Sequence, residues 1–260
     1  MSYFITTHVA PPWEIPFKHM EIGVEGYIPA KGEGIAAGSI ISRLLDMETA
    51  FGALRGVMAI NSVIDKLPED EAIFVGSYRL MLSQEIQDNW ISPVMQENKI
   101  ISPAVLAENW QEIIAVELPA DIDLLIPAPR LLPDTILGQY SRVHHLDDLL
   151  LAVGCAIRAG LILPLALPRM LESNTLIPYG NFASNKKIRF DFNERLWWCV
   201  QDFYKRYYIP RVGYQRRVID FVFERVASMA IMQMVVNKQL RCKSARSVWV
   251  SLDGTYEQGH

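Results

Sequence analysis

The sequence is poor in cysteine and lacks the spacings that give cysteine a structural role. Among 260 residues there are three cysteines, Cys155, Cys199 and Cys242, which are odd in number and widely spaced. This pattern indicates neither a disulfide framework nor a cysteine-based metal site. It favours a reducing compartment such as the cytoplasm.

Long apolar runs, a basic excess and a signal sequence are also missing. No uninterrupted apolar stretch is long enough to span a bilayer, and the N-terminus lacks a basic region followed by a long apolar run. The net charge is −4, so no basic field argues for nucleic acid. We expect a cytoplasmic protein with no nucleic-acid partner and no transmembrane segment, and peripheral contact with the inner face of a membrane stays open.

What is present is the composition of a packed globular protein, with 50% hydrophobic and 21% charged residues. The length suits one large or two small domains. No internal repeat or linker interrupts the chain, so we predict a single domain over residues 1–260. Its core should span about 3–237, and the polar segment 238–260 should fray as a tail.

One stretch combines a strand with polar residues directly after it. Ala72-Ile73-Phe74-Val75 is a short apolar run that predicts a buried strand, and Gly76-Ser77-Tyr78-Arg79 follows at once. Ligands of open α/β sheets bind at the carboxyl ends of strands. We therefore expect Tyr78 and Arg79 to face a concave site, where Arg79 could grip a phosphate or carboxylate with two bonds. The alternative is an arginine in a solvated loop.

The surrounding chain predicts a strand–helix–strand unit formed by 3–7, 43–64 and 72–75. The glycine-rich segment 21–41 lacks a phosphate-binding G-x-G-x-x-G and is predicted to be a loop. Residues 84–114 are predicted to be mostly helical.

Polar residues are dense between Gln139 and Asp148. His144 and Asp148 are four residues apart and would share one face of a helix, as a general-base pair or half a metal site. The alternative is a helix start, where Asp147 or Asp148 would favour the positive end of the helix dipole.

Two other carboxylates, Asp121 and Asp123, could hold a divalent ion that bridges sugar-nucleotide phosphates. They precede the predicted strand at Leu124, however, whereas a site at the ligand end would follow it. Metal binding by this pair is therefore disfavoured.

The last predicted helix, roughly 214–237, is apolar nearly all round and should be buried on most sides. Its polar residues Arg217, Asp220, Glu224 and Ser228 form one stripe, and Arg225 adjoins it. Because buried charges are costly unless they are paired or used by a ligand, we predict that Glu224 and Arg225 are buried, hydrogen-bonded and close to the Arg79 loop. The alternative is that the stripe is the only solvent face of the helix.

The order of these motifs resembles a bacterial family first catalogued as a domain of unknown function, which occurs in capsule and O-antigen loci and is treated as glycosyltransferase-like. Its members carry T-H, then H-Y-R-R after a strand, Q-Y…H…D, an N-M-F-I strand and a helix with Q-R-V-F-G-F-L-x-E-R-L. The matching residues here are Thr7-His8, Ser77-Tyr78-Arg79, Gln139-Tyr140…His144-His145…Asp148, Asn181-Phe182 and Gln215-Arg216-Arg217-Val218…Glu224-Arg225.

The resemblance implies a single-domain α/β fold with a GT-A-like mixed sheet flanked by helices. It implies a glycosyltransferase that moves a sugar from a nucleotide-diphosphate sugar to a saccharide acceptor in capsule or lipopolysaccharide synthesis. The candidate catalytic bases are Asp148, His145 and Glu224. The candidate donor- and phosphate-binding residues are Thr7, His8, Tyr78, Arg79, Asn181, Arg217 and Arg225.

Two alternatives remain. Ser77 and Leu80 replace the His and the second Arg of H-Y-R-R, which favours a catalytically silent relative that binds a sugar or a partner protein. A metal-dependent hydrolase built on His144, His145, Asp147 and Asp148 is the weaker alternative. Because Ser77-Tyr78-Arg79 stands where a metal-binding D-x-D would be expected, we predict that nucleotide binding needs no divalent metal.

Overall fold

The computed structural model describes residues 2–8, 10–24, 28–30, 34–36, 54–83, 100–115, 117–237 and 240–251. Four predicted segments lie partly outside these residues: the loop over 21–41, the helix over 43–64, the mostly helical segment over 84–114 and the tail over 238–260.

Eleven strands and seven α-helices are described. The strands are β1 (Ser2–Thr7), β2 (Met20–Gly23), β3 (Gly34–Ala36), β4 (Ala72–Ser77), β5 (Leu80–Ser83), β6 (Ile100–Ile101), β7 (Leu124–Pro127), β8 (Arg130–Leu131), β9 (Thr175–Leu176), β10 (Ala183–Asn185) and β11 (Cys242–Val250). The helices are α1 (Leu54–Ile64), α2 (Pro103–Ile113), α3 (Ile136–Val143), α4 (Leu146–Arg158), α5 (Leu167–Leu171), α6 (Lys186–Tyr207) and α7 (Val218–Asn237).

Nine strands form one mixed sheet, in which β5 and β10 run against the other seven. The centre is β4, which pairs in parallel with β1, so that Thr6 lies opposite Ser77. The predicted strand–helix–strand unit is confirmed in its described part. The predicted loop over 21–41 is wrong in part, because it contains most of β2 and all of β3, which extend the sheet beyond β1. These strands have only four and three residues, too few for a clear period-two pattern.

The predicted fraying tail is also wrong where it is described. Strand β11 lies inside the sheet, where it pairs with β5, β6 and β7. Its buried side chains are those of Ala245, Val248 and Val250. The strand is mostly polar up to Ser247, so its apolar signal is confined to the last three residues, Val248-Trp249-Val250. The strand is stabilised by backbone hydrogen bonds to its neighbours, which its side-chain pattern does not predict.

Helix α7 is buried on most sides, as its composition predicts. Phe223, Val226 and Met229 are fully buried in the largest apolar core, which also includes residues of α4 and α6. The α-helix begins at Val218 because residues 213–217 form a 3₁₀ turn. A smaller core joins α1 to β1 and β4 through Phe4, Ile60 and similar residues. Within the described residues, no helix has the length and hydropathy needed to cross a membrane.

The contact between α1 and β1 gives a first testable prediction. A Cβ on Gly56 would collide with the side chain of Thr6, whose own Cβ would lie at 3.1 Å. We expect Gly56→Ala to lose about 1 kcal/mol of unfolding free energy, because overpacking costs about 1–3 kcal/mol and exceeds the gain of about 1 kcal/mol in helix propensity. Urea denaturation measures it.

The matched control is Gly154→Ala in α4, where a new Cβ would meet only the Arg158 Nη1 atom at 3.8 Å. This substitution should raise the unfolding free energy by about 0.5–1 kcal/mol. Equal effects of the two substitutions would contradict the tight packing of α1 on β1.

Candidate functional site

The carboxyl ends of β1 and β4 bring together two motifs that are 70 residues apart. Thr7 is the buried last residue of β1, and His8 follows it on the surface. Tyr78 follows β4, and its ring centroid lies 6.1 Å from that of His8. Because the two strands are parallel and in register, Thr7, His8, Tyr78 and Arg79 lie at one edge of the sheet.

The turn between β4 and β5 holds Arg79 at this edge. The Ser77 hydroxyl oxygen accepts the Leu80 N–H at 3.1 Å, and the Arg79 carbonyl accepts the Val250 N–H at 2.9 Å. Tyr78 is buried, and the exposed Arg79 side chain extends over its ring, with the guanidinium carbon 5.0 Å from the centroid. Within the described part of the chain, Arg79 forms no ion pair. A concave pocket around it stays a prediction.

Asn181 is brought to the same edge by the antiparallel strand β10. Ala183 lies opposite Phe74 of β4, so the preceding residues lie beside the carboxyl half of that strand. Asn181 is buried at the end of a 3₁₀ turn. The next residue, Phe182, is held by Arg189, which donates to its carbonyl and stacks on its ring at 3.2 Å.

The sequence around Arg189 gives no local signal of burial, since Lys186 and Lys187 precede it closely. It is fully buried, and burial lowers the pKa of its guanidinium. Its contacts to Phe182 anchor the turn that carries Asn181. Only the tertiary structure reveals this role.

A second polar cluster surrounds Arg225 on α7. The Arg225 Nη1 atom lies 2.5 Å from a Glu224 carboxylate oxygen, and Nη2 donates to Gln139 Oε1 of α3 at 3.1 Å. The guanidinium carbon also lies 5.7 Å from the centroid of the Tyr140 ring. The Arg225 side chain is 8% exposed and that of Glu224 is 34% exposed. The prediction of a buried, hydrogen-bonded pair is confirmed for Arg225, whereas Glu224 also reaches the surface.

Asp148 lies in the first turn of α4 and is buried against Arg211. One guanidinium nitrogen of Arg211 donates to both carboxylate oxygens at 3.1 Å. The expectation that His144 and Asp148 share one helix is wrong, because α3 ends at Val143 and both His144 and His145 have extended backbones. His145 precedes α4 as an exposed residue that makes no capping bond with its side chain.

Gln215, which is 72 residues away in the sequence from Val143, contacts the residues of this helix break. Its side-chain amide donates to the Val143 carbonyl at 2.8 Å, and its side-chain oxygen lies 3.1 Å from the His144 Nδ1 atom. The His144 ring packs against Phe221 at 4.6 Å and Tyr140 at 4.7 Å. The half-exposed Tyr214 ring stacks on the outside of this group, 6.0 Å from His144.

Burial lowers the pKa of His144 below its ordinary value of 6.5, against the opposing effect of the hydrogen bond to Gln215. The unfolded chain then binds the proton more readily than the folded protein. We therefore expect stability to fall as the pH drops from 7 through 6.5 towards the folded pKa. His144→Gln should flatten this slope in denaturation curves between pH 7 and 5, and an unchanged slope would contradict the assignment.

Three buried donors of the cluster have no hydrogen-bond partner among the described residues: Tyr140 Oη, Arg211 Nε and Arg225 Nε. Desolvation and the nearby charge of Asp148 raise the pKa of Tyr140, so its hydroxyl stays protonated. The arrangement therefore offers donors without matching acceptors. Anionic or hydroxyl oxygens of a ligand would satisfy them.

Arg217 is paired within its own helical turn, with Nη2 2.5 Å from a carboxylate oxygen of the buried Asp220. Its side chain is about half exposed. Of the predicted stripe, Ser228 is also used internally, since its hydroxyl oxygen accepts the Ile177 N–H at 2.7 Å.

The carboxylates suggested as weak metal ligands lie elsewhere. Asp123 precedes β7 and accepts bonds from the Arg241 backbone at 2.9 Å and guanidinium at 3.0 Å, which lower its pKa. Because β7 is parallel to β4, Asp121 and Asp123 lie towards the opposite edge from Arg79.

Across the described ranges, no group of three or more His, Cys, Asp or Glu side chains is placed to hold a metal ion. His144, His145, Asp147 and Asp148 are among the described residues, and they form no such group.

Comparison with solved structures identifies the architecture. An apo structure of WbbM, a bifunctional glycosyltransferase, matches with a TM-score of 0.76 over 96% of this chain, at 16% sequence identity. The chain has a glycosyltransferase fold. The prediction of a GT-A-like α/β domain is thus confirmed, and the chain spans 45% of the length of the WbbM chain. No protein-family model and no curated protein sequence matches it.

Proposed function

We propose that this protein transfers a sugar from a nucleotide-diphosphate sugar to a saccharide acceptor during synthesis of a bacterial surface polysaccharide, at the cytoplasmic face of the membrane. The observation that carries the proposal is the buried Arg225 cluster, with its unpaired donors, on a glycosyltransferase fold. Loss of the diphosphate requires positive charge or hydrogen-bond donors where negative charge develops. The acceptor hydroxyl also requires a base.

Arg79 is the proposed diphosphate ligand. Its guanidinium is exposed at the carboxyl edge of the sheet and lies over the Tyr78 ring. No carboxylate among the described residues pairs with it. His8 and Asn181 share that edge and would contact the donor. Arg217 is a secondary candidate because Asp220 already pairs with it.

Glu224 is the proposed base among the three candidates. It is partly exposed, so an acceptor can reach it, and Arg225 fixes its orientation. Asp148 is buried, and both of its oxygens are bound to Arg211. Among the described residues no partner orients the exposed His145 side chain, so we place Asp148 and His145 outside the proton-transfer step.

Arg79→Ala should weaken binding of the nucleotide-diphosphate sugar about 10- to 150-fold, because one charge-assisted contact to phosphate contributes about 1.5–3 kcal/mol. The unfolding free energy should change by less than about 0.5 kcal/mol, since the side chain is exposed. Calorimetric titration checks the affinity, with Arg195→Ala on the exposed face of α6 as the control. If the two variants bind equally well, Arg79 does not contact the donor.

The test of the function is a panel of nucleotide-diphosphate sugars, each titrated with EDTA and with manganese, followed by an assay of transfer to saccharide acceptors. We expect at least one sugar nucleotide to bind in EDTA and to be consumed when the acceptor is added. If EDTA abolishes binding and manganese restores it, a metal ion provides the charge that we assign to arginine.

A catalytically silent sugar-binding protein is the second candidate, favoured by Ser77 and Leu80 in place of the His and Arg of the H-Y-R-R motif. It would bind a sugar nucleotide to saturation without consuming it. Consumption of the sugar nucleotide by the native protein distinguishes the two functions, and in the enzyme Glu224→Gln should stop transfer without abolishing binding.

A further inference from the structure

We propose that an apolar pocket beside the C-terminal half of α7 binds the hydrocarbon chain of an anionic lipid. The pocket has a volume of about 710 Å³, within the range of roughly 300–1,000 Å³ typical of ligand sites. It lies between β7, α5, β9 and the last two turns of α7. Most of its wall is apolar, including Ile126, Leu163, Met170, Ile177, Met232 and Val235.

The mouth of this pocket is apolar and exposed. Leu165 is 98% exposed on the 3₁₀ turn Pro164–Ala166, and Val236 is 71% exposed on α7. Leu131 is 77% exposed on β8, opposite Thr175 of the pocket wall. Large apolar side chains concentrated around one opening indicate an interaction site rather than ordinary surface.

The charge at the pocket selects the kind of lipid. Arg169 on α5 is the one charged residue of the described lining, and it is exposed and makes no ion pair within the described chain. Ser173 and Thr175 add hydroxyl groups to the same lining. A cation and two hydroxyls beside an apolar wall complement a phosphate headgroup whose chain enters the pocket.

This site goes beyond the proposed function and is separate from it. None of the residues that line the pocket belongs to the Arg79 edge or to the Arg225 cluster. Lipid binding can therefore be lost while nucleotide-sugar binding is retained, and the reverse, so the two proposals fail independently.

Titration with short-chain lipids below their critical micelle concentration tests the pocket alone. Dihexanoylphosphatidylglycerol, which is anionic, should bind about tenfold more tightly than zwitterionic dihexanoylphosphatidylcholine. Arg169→Glu should abolish this preference, and Ala166→Trp, which fills the pocket, should abolish binding of both lipids at an unchanged melting temperature. Arg195→Glu is the matched charge-reversal control. Absence of binding by the native protein, or native affinities in Arg169→Glu and Ala166→Trp, would overturn the proposal.

Sedimentation with vesicles tests the exposed mouth. The native protein should sediment with phosphatidylglycerol vesicles, and Leu165→Glu should stay in the supernatant. Val212→Glu is the control, because Val212 is 84% exposed but lies in the segment before the 3₁₀ turn Gly213–Arg217. If the native protein does not sediment and is instead a dimer that Leu165→Glu dissociates, the mouth is a contact between two copies of the chain and the lipid proposal is wrong.

Discussion

Replacing Arg225 with alanine is expected to destabilise the protein by about 2–4 kcal/mol, less than for a fully buried pair because Glu224 is 34% exposed, and to abolish binding of the nucleotide-diphosphate sugar. The guanidinium is buried and is held by Glu224, Gln139 and the Phe221 carbonyl. Its removal leaves the Glu224 carboxylate and the Gln139 amide without their partner, and it also removes the buried Nε donor that we propose binds the ligand. Chemical denaturation and calorimetric titration measure the two effects.

Two further variants keep this prediction decisive if Arg225→Ala does not fold. Arg225→Lys retains the charge but not the planar group that contacts Glu224 and Gln139 together, so it should fold and bind weakly. Arg206→Ala removes an exposed arginine that pairs with Asp202 in α6, and because Asp202 keeps its second partner Arg158, the change should cost only about 0.3–0.5 kcal/mol. If Arg225→Ala is as mild as Arg206→Ala in both measurements, the Arg225 cluster is only a solvated face.

Asp148→Ala is expected to cost about 2–4 kcal/mol, because it leaves the guanidinium of Arg211 partly buried without a carboxylate. The value is below that of a fully buried pair, since 22% of the Arg211 side chain is exposed. The double variant Asp148→Leu/Arg211→Met should recover most of the loss. A double-mutant cycle by urea denaturation gives the coupling energy.

The conservative variant Asp148→Asn decides whether Asp148 takes part in the reaction. If Asp148 is structural, Asp148→Asn should keep its transfer rate per folded molecule. A stable Asp148→Asn protein whose transfer rate falls a hundredfold or more would make Asp148 the base instead of Glu224.

The parts of the fold that were predictable from the sequence have strong local signals. The run Ile73-Phe74-Val75 followed by polar residues predicts a buried strand and its exposed end. The apolar composition of α7 predicts its burial. Because the helix is buried, Arg225 needs hydrogen-bond or charge partners. In both segments the apolar residues are close together in the sequence, so their burial can be predicted from the local sequence alone.

The parts that could not be predicted depend on residues distant in sequence. Strand β11 is stabilised by pairing with β5 and β7, which its polar side chains do not indicate. The break between α3 and α4 depends on Gln215, and the setting of Asp148 depends on Arg211. Both partners come from the connection between α6 and α7, where no spacing relates them to residues 143–148.

Titration of the native protein with nucleotide-diphosphate sugars in the presence of EDTA is the most direct test of the central claim, that a guanidinium-based site on a glycosyltransferase fold binds the donor. A sugar nucleotide at a hundred times its dissociation constant should stabilise the protein by about 2.7 kcal/mol, and Arg225→Lys should lose most of that gain. A native protein with an unchanged melting temperature for every sugar nucleotide, both in EDTA and in manganese, would contradict the claim.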